Sequence, residues 1–333
     1  MRCAIVILNW NGRALLEQYL PSVVEYSALP DCEVVVADNG STDDSMAFVQ
    51  SHFPSVRVVQ LPKNYGFAEG YNQALKEVDS EYCVLLNSDV RVTEGWLEPL
   101  LQFMDEKPDV AAVQPKIRSD RREDYFEHAG AAGGFIDTLG YPFCRGRIMD
   151  YVARDEGQFD EPAQVFWATG ACMCTRVRLY KELGGLDGRF FAHMEEIDLC
   201  WRMHSRGYTV WCLPQSVVYH LGGGSLNYSN PHKTYLNFRN NLLMLYKNLP
   251  KPQIYFVHFM RFWLDYVAAL WFLLQGKAAD TAAIIHGRWD FLKMRHSFRP
   301  ARKENLNHMK VKHPSTIAKR SIIFDYYILR KKQ

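Results

Sequence analysis

Tyr82-Cys83-Val84-Leu85-Leu86-Asn87-Ser88-Asp89 is an apolar run that ends abruptly in three polar residues. A short uncharged run of this kind is typical of a buried strand in a sheet. The pattern recurs at residues 3–8, which precede Asn9, and at residues 33–37, which precede Asp38. We therefore predict three buried strands, each followed directly by a polar side chain.

Helix-like segments lie between the predicted strands. We expect helices at residues 15–24, from Ser41 or Thr42 to about residue 52, at 68–78 and at 96–104, and further strands at 56–61 and 110–113. This alternation predicts an α/β fold whose parallel sheet is covered on both faces. Ligands of such sheets bind at the carboxyl ends of the strands, where Asn9, Asp38 and Asn87 lie.

The rest of the chain divides into three stretches. Residues 119–164 are irregular and rich in glycine and charge, so we expect loops and a small excursion there, and residues 165–220 form a second periodic block. Helical patterns follow at 235–249, 254–274 and 278–295. We predict a catalytic domain over residues 1–230 and a helical, basic extension over residues 231–333.

The charge of the 333-residue chain is unevenly distributed. The net charge is +2, but residues 287–333 carry thirteen Lys or Arg against three Asp or Glu. Such a tail is typical of a surface for anionic lipid or another polyanion, with simple solubility as the alternative. The eight cysteines are scattered and no signal peptide is evident, so we expect reduced thiols in a cytoplasmic protein.

Residues 254–274 are long and apolar but contain His258, Arg261 and Asp265. Their spacing places these three on one helical face, where Arg261 and Asp265 can pair. Charges make a bilayer span costly, so the pattern favours a helix lying in the membrane interface. The alternative is a helix packed on the catalytic domain or on a partner in a homodimer.

Three acidic residues, Glu195, Glu196 and Asp198, stand between aromatic residues and a helical pattern. Placing carboxylates together and out of water is costly, so such clusters usually hold a general base, a metal or polar substrate groups. The alternative is a solvated first turn of a helix, which acidic side chains favour.

Polar residues near the strand ends could bind a nucleotide. Asp38 could accept a hydrogen bond from a uracil or thymine imide, or it could merely cap its turn. The glycines of residues 64–72 would let backbone approach a ligand, and residues 222–225 offer backbone N–H groups to an anion. Asp89 suits Mg²⁺ or Mn²⁺, and His220 could be a further ligand.

Taken together, the segments resemble glycosyltransferase family 2, in particular its bacterial branch with rhamnosyltransferases of cell-surface polysaccharide assembly. The resemblance covers about residues 3–245. The motifs that carry it are Ile5-Val6-Ile7-Leu8-Asn9-Trp10-Asn11, Val36-Ala37-Asp38-Asn39-Gly40-Ser41-Thr42-Asp43, Asn64-x-Gly66-Phe67-Ala68-x-Gly70-x-Asn72, Leu86-Asn87-Ser88-Asp89, Gly184-Gly185-Leu186-Asp187 with Phe190-Phe191, Glu195-Glu196-Ile197-Asp198-Leu199-Cys200-Trp201-Arg202, and His220 with Ser225.

The resemblance implies a Rossmann-like nucleotide-binding mixed sheet, the A-type glycosyltransferase fold, and an inverting, metal-dependent reaction. Glu196 would be the catalytic base, in a position where the family commonly has Asp, and Glu195 or Asp198 could share its work. Asp89 would bind the metal with help from His220. The nucleotide-sugar site would comprise Asn9, Asp38, Asn64, Gly66, Asn72, Asn87 and Ser88, and the acceptor face Trp167, Thr169, Gly170 and Arg202. Core packing is the alternative for Trp167.

The expected partners are a nucleoside-diphosphate sugar and a glycan or lipid-linked glycan acceptor, at the inner face of the cytoplasmic membrane. Residues 254–333 would contact the membrane surface, and no nucleic acid is expected to bind. The expectation that the sugar is rhamnose, carried by thymidine diphosphate, rests only on the resemblance to the rhamnosyltransferase branch. There are two alternatives. One is a catalytically inactive sugar- or nucleotide-binding scaffold. The other is a nucleotidyltransferase, but residues 9–13 are a poor match to the basic phosphate-binding loop of such an enzyme.

Overall fold

The computed structural model describes residues 1–222 and 230–331. The strands are β1 (Cys3–Asn9), β2 (Cys32–Asp38), β3 (Arg57–Gln60), β4 (Tyr82–Asn87), β5 (Val90–Val92), β6 (Val110–Ser119), β7 (Gly134–Asp137), β8 (Pro142–Cys144), β9 (Arg147–Ile148), β10 (Tyr151–Val152), β11 (Ala163–Val165), β12 (Cys172–Arg176), β13 (Thr209–His220) and β14 (Ile317–Ala318).

The helices alternate with the strands in the first part of the chain and then follow one another. They are α1 (Arg13–Tyr26), α2 (Ser45–His52), α3 (Gly66–Ala74), α4 (Glu98–Glu106), α5 (Val177–Glu182), α6 (Glu195–Ser205), α7 (Pro231–Asn248), α8 (Gln253–Leu274), α9 (Ala278–Met294) and α10 (Arg299–Asn307). A 3₁₀ turn covers Gly188–Phe190 and a π-helical turn covers Phe324–Ile328.

The main sheet confirms the predicted α/β fold. Its order is β11-β13-β6-β12-β4-β1-β2-β3, with β5 paired to β13. Strands β4, β1, β2 and β3 are parallel, whereas β12 runs antiparallel to both β4 and β6. The sheet is therefore mixed, and the strand pattern alone, which indicated a parallel sheet, did not reveal the direction of β12.

The register of the parallel strands brings the polar residues at their ends together. Asn9 pairs with Asp38 across β1 and β2, and Leu8 pairs with Asn87 across β1 and β4. Asn9, Asp38 and Asn87 thus end three adjacent strands at one edge of the sheet, which is where the sequence predicted a ligand site.

Apolar side chains on both faces of the sheet form two cores. One cluster combines the inner residues of α1, α2 and α4 with one face of the sheet. The other combines α3, α6 and the middle of α7 with the opposite face, and Leu242, Leu243, Met244 and Leu245 are fully or almost fully buried in it. The expected boundary at residue 230 therefore falls just before a helix whose inner face belongs to the main core.

The irregular region after β6 contains a second, small sheet. Its order is β10-β9-β8-β7-β14, and β14 near the end of the chain pairs in parallel with β7. The expected small excursion is thus a sheet that also anchors the C-terminal segment.

Helix α8 carries its charged residues on the inside. Its buried stripe is Ile254, Val257, Arg261, Asp265 and Ala269. The Nε of Arg261 lies 3.0 Å from Oδ1 of Asp265, as the spacing predicted, and Arg288 of α9 bonds the same carboxylate. In the described ranges α8 is the one helix long and apolar enough to cross a membrane, judged by length and composition alone.

The start of α2 differs from the prediction. The helix begins at Ser45 rather than after Ser41 or Thr42, because Asp43 Oδ1 accepts the hydrogen bond of Ser45 N at 3.2 Å. The hydroxyl of Ser41 instead accepts a bond from Asn11 N at 2.9 Å. Ser41 therefore links the loops that follow β1 and β2.

Candidate active site

The ends of β1 and β2 form one polar cluster. Asn9 is fully buried, and its Nδ2 donates to the hydroxyls of Ser41 and Ser45 at 3.2 and 3.1 Å. Its Oδ1 is buried and has no hydrogen-bond partner in the described part of the chain. Ser41 N donates to the Asp38 carboxylate at 3.2 Å, so Asp38 does cap its turn. Nucleobase binding by Asp38 and Asn9 stays a prediction.

The loop before α3 is held by amide side chains. Gly66 N and Asn39 Nδ2 both donate to Oδ1 of Asn64, at 2.8 and 3.1 Å. Gly66 has a φ of +76°, and a Cβ there would lie 2.8 Å from the ring of Phe191. Only glycine suits this position, both for its backbone conformation and for the close approach of the ring.

The geometry of Asn72 favours a structural role over contact with a donor. Its amide oxygen accepts from Tyr180 Oη at 2.8 Å and from Leu186 N at 3.0 Å. Its amide nitrogen donates to Leu186 O at 2.7 Å and to Glu69 at 3.0 Å. Since the amide is satisfied within the protein, Asn72 fixes the turn that precedes the acidic helix rather than lining the donor site.

Asp89 lies in a buried group with His220. Because β13 pairs with β5, His220 is opposite Val90, and its Nε2 lies 3.1 Å from Asp89 Oδ1. The other ring nitrogen lies 3.3 Å from Oε2 of Glu127. The role of Glu127 could not be predicted, because it comes from the irregular region and no motif surrounds it.

The electrostatics of this group bear on metal binding. Burial disfavours the charged form of His220, but the nearby carboxylates of Asp89 and Glu127 outweigh burial and raise its pKa to about 10. A protonated imidazole has no lone pair for a metal. In this arrangement His220 orients Asp89, and its own use as a ligand would require loss of that proton.

The donor set at Asp89 is compatible with a hard divalent cation. Asp89 Oδ2 makes no hydrogen bond within the described ranges, and Asn87 and Ser88 offer further oxygens beside it. Mg²⁺ and Mn²⁺ need few protein ligands when phosphate and water complete the shell. No preformed cluster of three or more His, Cys, Asp or Glu side chains suitable for a metal occurs among the residues that the structure describes.

The acidic helix α6 begins with two carboxylates largely removed from water. Oε2 of Glu195 and Oε2 of Glu196 are both buried and lack hydrogen-bond partners in residues 1–222 and 230–331. Burial raises the pKa of Glu196 to about 7, although N–H groups of the first turn and of Gly170 oppose the rise. Burial and the nearby Glu196 charge raise the pKa of Glu195 well above its usual range. The solvated helix start considered from the sequence is therefore not what the structure shows.

Residues 170–171 connect the acidic helix to the Asn87–Asp89 turn. Gly170 N lies close enough to the Glu196 carboxylate to lower its pKa, and Ala171 O accepts a 3.0 Å bond from Asn87 N. Two residues thus separate the predicted base from the predicted metal-binding turn. This places the two motifs, more than one hundred residues apart in sequence, in one site.

A strained segment leads into α6, and we call residues 190–194 the strap. Phe191, His193 and Met194 have φ values of 69°, 69° and 75°, although none is glycine. Such a conformation costs on the order of 1–3 kcal/mol per residue and is retained where surrounding contacts enforce it. Phe191 O accepts from Phe67 N at 3.2 Å, so the strap also contacts the start of α3.

Asp198 is not available as a base. It is fully buried, and its carboxylate accepts bonds from Arg202 at 2.9 Å, Lys247 at 2.8 Å and Asn248 at 2.7 Å. Arg202 is equally occupied, since it also donates to the carbonyls of Leu183 and Gly185. The expectation that Asp198 assists catalysis and Arg202 binds the acceptor is corrected: both are parts of a buried ion pair.

The predicted acceptor face is also largely structural. Trp167 is buried, and its indole nitrogen donates to Phe135 O at 3.0 Å, which matches the core-packing alternative. Thr169 is buried too, and its hydroxyl accepts from Ala171 N at 3.2 Å. Among these residues, Gly170 acts on the predicted base, because its backbone N–H lowers the pKa of Glu196. Gly223, Gly224 and Ser225, considered for anion binding, lie outside the described residues.

Comparison with known proteins identifies the relatives of this chain. Residues 4–184 match the sequence profile of Glycosyl transferase family 2. The N-acetylglucosaminyl-diphospho-decaprenol L-rhamnosyltransferase of Mycobacterium tuberculosis is 26% identical over 231 residues, which are 65% of this chain and 75% of that protein. The O-antigen biosynthesis protein RfbC of Myxococcus xanthus is 28% identical over 65% of this chain but only 17% of its own length.

Solved structures share the fold at low identity. S. aureus TarS 1–349 in complex with UDP-GlcNAc has a TM-score of 0.57 and 17% identity, over 92% of this chain and 89% of that chain. The mannosyltransferase PcManGT from Pyrobaculum calidifontis, in complex with GDP-Man and Mn²⁺, has a TM-score of 0.54 and 15% identity, over 92% and 85%. These likenesses establish the A-type glycosyltransferase fold. Because the family profile spans more than half of it, the chain belongs to glycosyl transferase family 2 and is a glycosyltransferase of the bacterial rhamnosyltransferase-like type.

Proposed function

We propose that the protein is an inverting glycosyltransferase that moves a hexose, with L-rhamnose as first candidate, from a nucleoside-diphosphate sugar to a glycan acceptor. The observation that carries this is the position of Glu196, whose pKa is lowered by the N–H of Gly170, next to the bond from Asn87 N to Ala171 O. It joins a base with a raised pKa to the turn that carries Asp89. A base beside a diphosphate site is the minimum that direct transfer requires.

The reaction follows from these positions. Glu196 takes the proton of the acceptor hydroxyl while that oxygen attacks the anomeric carbon. The bond from this carbon to the diphosphate oxygen breaks on the opposite face, its electron pair stays with the diphosphate, and the configuration inverts. A divalent metal bound through Asp89 would offset the negative charge of the diphosphate. Burial and the charge of Glu196 raise the pKa of Glu195, which favours a negative charge on Glu196 rather than on both carboxylates.

The donor would lie along the edge formed by β4, β1 and β2. The free Oδ1 of Asn9 and the Asp38 carboxylate are placed to bind the nucleobase and ribose. Asn64 and Gly66 form the adjoining loop, and Asn87 and Ser88 flank the metal position. The alternative, an inactive scaffold, is disfavoured because such a scaffold has no need of two carboxylates held out of water.

We further propose a lipid-linked acceptor at the cytoplasmic face of the membrane, by analogy with the decaprenol-linked substrate in the name of the mycobacterial relative. In the described ranges, all but three of the exposed large hydrophobic residues lie between residues 255 and 329. On α8 they include Phe259, Trp263 and Trp271, each more than half exposed. A helix with charges inside and aromatics outside suits the headgroup region of a bilayer.

Lysines border this aromatic surface. Lys251 and Lys277, just outside the two ends of α8, lie over the rings of Tyr255 and Phe272, and Lys293 lies over Trp289. Together with the basic tail they match an anionic headgroup layer, where each basic side chain contributes about 1 kcal/mol of attraction. The alternative to a membrane is that a second copy of the chain covers the same surface in a homodimer.

The membrane proposal predicts a specific loss of lipid binding. The double variant Trp263→Ser and Trp271→Ser should reduce cosedimentation with anionic phospholipid vesicles by at least about tenfold, since each exposed indole is worth roughly 1–2 kcal/mol when buried in the interface. Transfer to a short, water-soluble acceptor is the internal control and should not change. A wild-type protein that remains in the supernatant and sediments as a dimer would contradict the proposal.

The raised pKa of Glu196 predicts a pH dependence. The base must be ionised, so the rate at saturating substrates should rise about tenfold per pH unit below 7 and level off above it. Steady-state transfer rates between pH 5.5 and 8.5 would show this limb. Donor affinity measured over the same range is the control, and a rate that stays flat down to pH 5.5 would exclude Glu196 as the titrating base.

The function itself is tested with a panel of nucleoside-diphosphate sugars that includes dTDP-L-rhamnose, each with and without Mn²⁺. A donor that binds the native state raises the melting temperature. Mass spectrometry then measures the transfer of its sugar to a polyprenyl-diphosphate-linked sugar. Metal-dependent stabilisation with transfer supports the proposal. Stabilisation without transfer to any glycan acceptor would favour the inactive scaffold.

A further inference from the structure

Asn240, in the middle of α7, makes an unusual set of contacts. It is fully buried, and its Nδ2 donates to three carbonyl oxygens of the strap: Phe190 at 3.0 Å, Ala192 at 2.8 Å and His193 at 2.9 Å. Two N–H groups therefore serve three acceptors. The residue lies outside residues 4–184, which match the family profile, and no sequence motif singles it out.

The orientation of this amide is fixed by its neighbour. Arg239 Nε donates to Asn240 Oδ1 at 2.9 Å, so the NH₂ group must face the strap. Arg239 also donates from Nη2 to Phe190 O at 3.1 Å. The pair thus bonds carbonyls of the strap from α7.

The strap has the donor loop on one side and the base at its end. Phe67 N and Ala68 N donate to Phe191 O at 3.2 and 3.4 Å, and the ring of Phe191 packs against Gly66. Met194, the last strap residue, immediately precedes Glu195 and Glu196. Any movement of the strap would therefore shift the start of α6 relative to the donor loop.

We propose that Asn240 is a positioning residue for sugar transfer: through the strap it fixes the Glu196 carboxylate relative to the donor loop at Gly66. This inference rests on the proposed function, because it assumes that Glu196 is the base. Its physical basis is that three residues in the left-handed region do not keep that conformation without external contacts. Asn240 supplies three of these contacts with one side chain.

The test separates positioning from general stability. Asn240→Ala should lower kcat for transfer about 100-fold, the size expected for a misplacement of about 1 Å, while the KM for the donor changes by less than about threefold. Asn240→Gln keeps the NH₂ group and should recover part of the loss. Asn305→Ala is the matched control, since Asn305 is also buried and donates to Asn248 at 3.0 Å, away from the strap.

Hydrogen exchange gives a readout that does not depend on activity. Amides of residues 190–196 should exchange at least about tenfold faster in Asn240→Ala than in Asn305→Ala or the wild type. If Asn240→Ala does not fold, Asn240→Ser, which keeps one donor, should show the same changes at smaller size. Equal kcat and equal exchange in the Asn240 variants and the Asn305 control would overturn the proposal.

The two proposals fail in different ways. A wild-type protein that transfers no sugar would overturn the proposed function and the catalytic part of this inference together. Faster exchange confined to residues 190–196 would still show that Asn240 holds the strap. A lower kcat without faster exchange would instead show that Asn240 acts on the reaction by another route, and the positioning role would be rejected.

Discussion

Glu196→Gln is expected to lower sugar transfer by about 10³-fold while donor affinity stays within about threefold of the wild type, since a general base typically contributes 10²–10⁴. The amide keeps the shape of the side chain but cannot accept the proton. Transfer rates and donor titration by calorimetry measure the two effects separately. Glu195→Gln is the matched control, and we expect it to keep most of the activity because the raised pKa of Glu195 favours its uncharged form.

The same variant should alter stability in a pH-dependent way. The pKa of Glu196 is raised in the folded state, so its protonated form is favoured, and the stability present below the unfolded pKa is lost as the pH rises through about 7. Glu196→Gln cannot lose a proton. Its melting temperature should therefore match the wild type below about pH 4.5 and exceed it at pH 8. If Glu196→Gln transfers sugar at the wild-type rate, the base is another group.

Asp89→Ala is expected to remove metal-dependent donor binding, with a loss of about 10- to 150-fold in affinity, because interactions of charged groups contribute about 1.5–3 kcal/mol each. In the wild type, Mn²⁺ with the donor should raise the melting temperature above the value with the donor alone. In the variant the two values should coincide. Asp89→Asn, which keeps the shape beside His220, separates loss of charge from loss of packing.

Asp105→Asn is the control for this experiment. Asp105 bonds Tyr82 at the beginning of β4, at the opposite edge of the sheet from Asp89. Its replacement should lower the melting temperature slightly and leave the Mn²⁺ effect intact. If Asp89→Ala keeps full Mn²⁺-dependent stabilisation, the metal binds elsewhere and the role assigned to Asp89 is wrong.

The ends of the parallel strands could be predicted from the sequence because they depend on local patterns. Once Asn9, Asp38 and Asn87 were seen to end buried strands, their proximity followed from the shared direction of those strands. The antiparallel direction of β12 could not be predicted, since a buried apolar run has the same pattern in either orientation. The pairing of Arg261 with Asp265 was predictable for the same local reason, because four residues make one helical turn.

The acceptor residues were harder to predict because sequence neighbours do not share an environment. Asp198 stands two residues after Glu196, yet its carboxylate faces α7, where Lys247 and Asn248 bond it. Trp167 has an aromatic ring of the kind that stacks on sugars, but it faces the small sheet. Glu127 meets His220, and Asn240 meets the strap, across more than forty residues of sequence, and no pattern around them indicates those contacts.

The integration of α7 has a consequence for protein engineering. Lys247 bonds both Asp187 and Asp198 at 2.8 Å, so α7 supplies the counter-charge of two buried carboxylates in the segment that bears the base. Breaking such pairs typically costs about 3–5 kcal/mol, a large share of the total stability of a domain. A chimaera that exchanges donor or acceptor preference between relatives should therefore carry α7 with its parent, and truncation at residue 230 would unfold the domain rather than trim it.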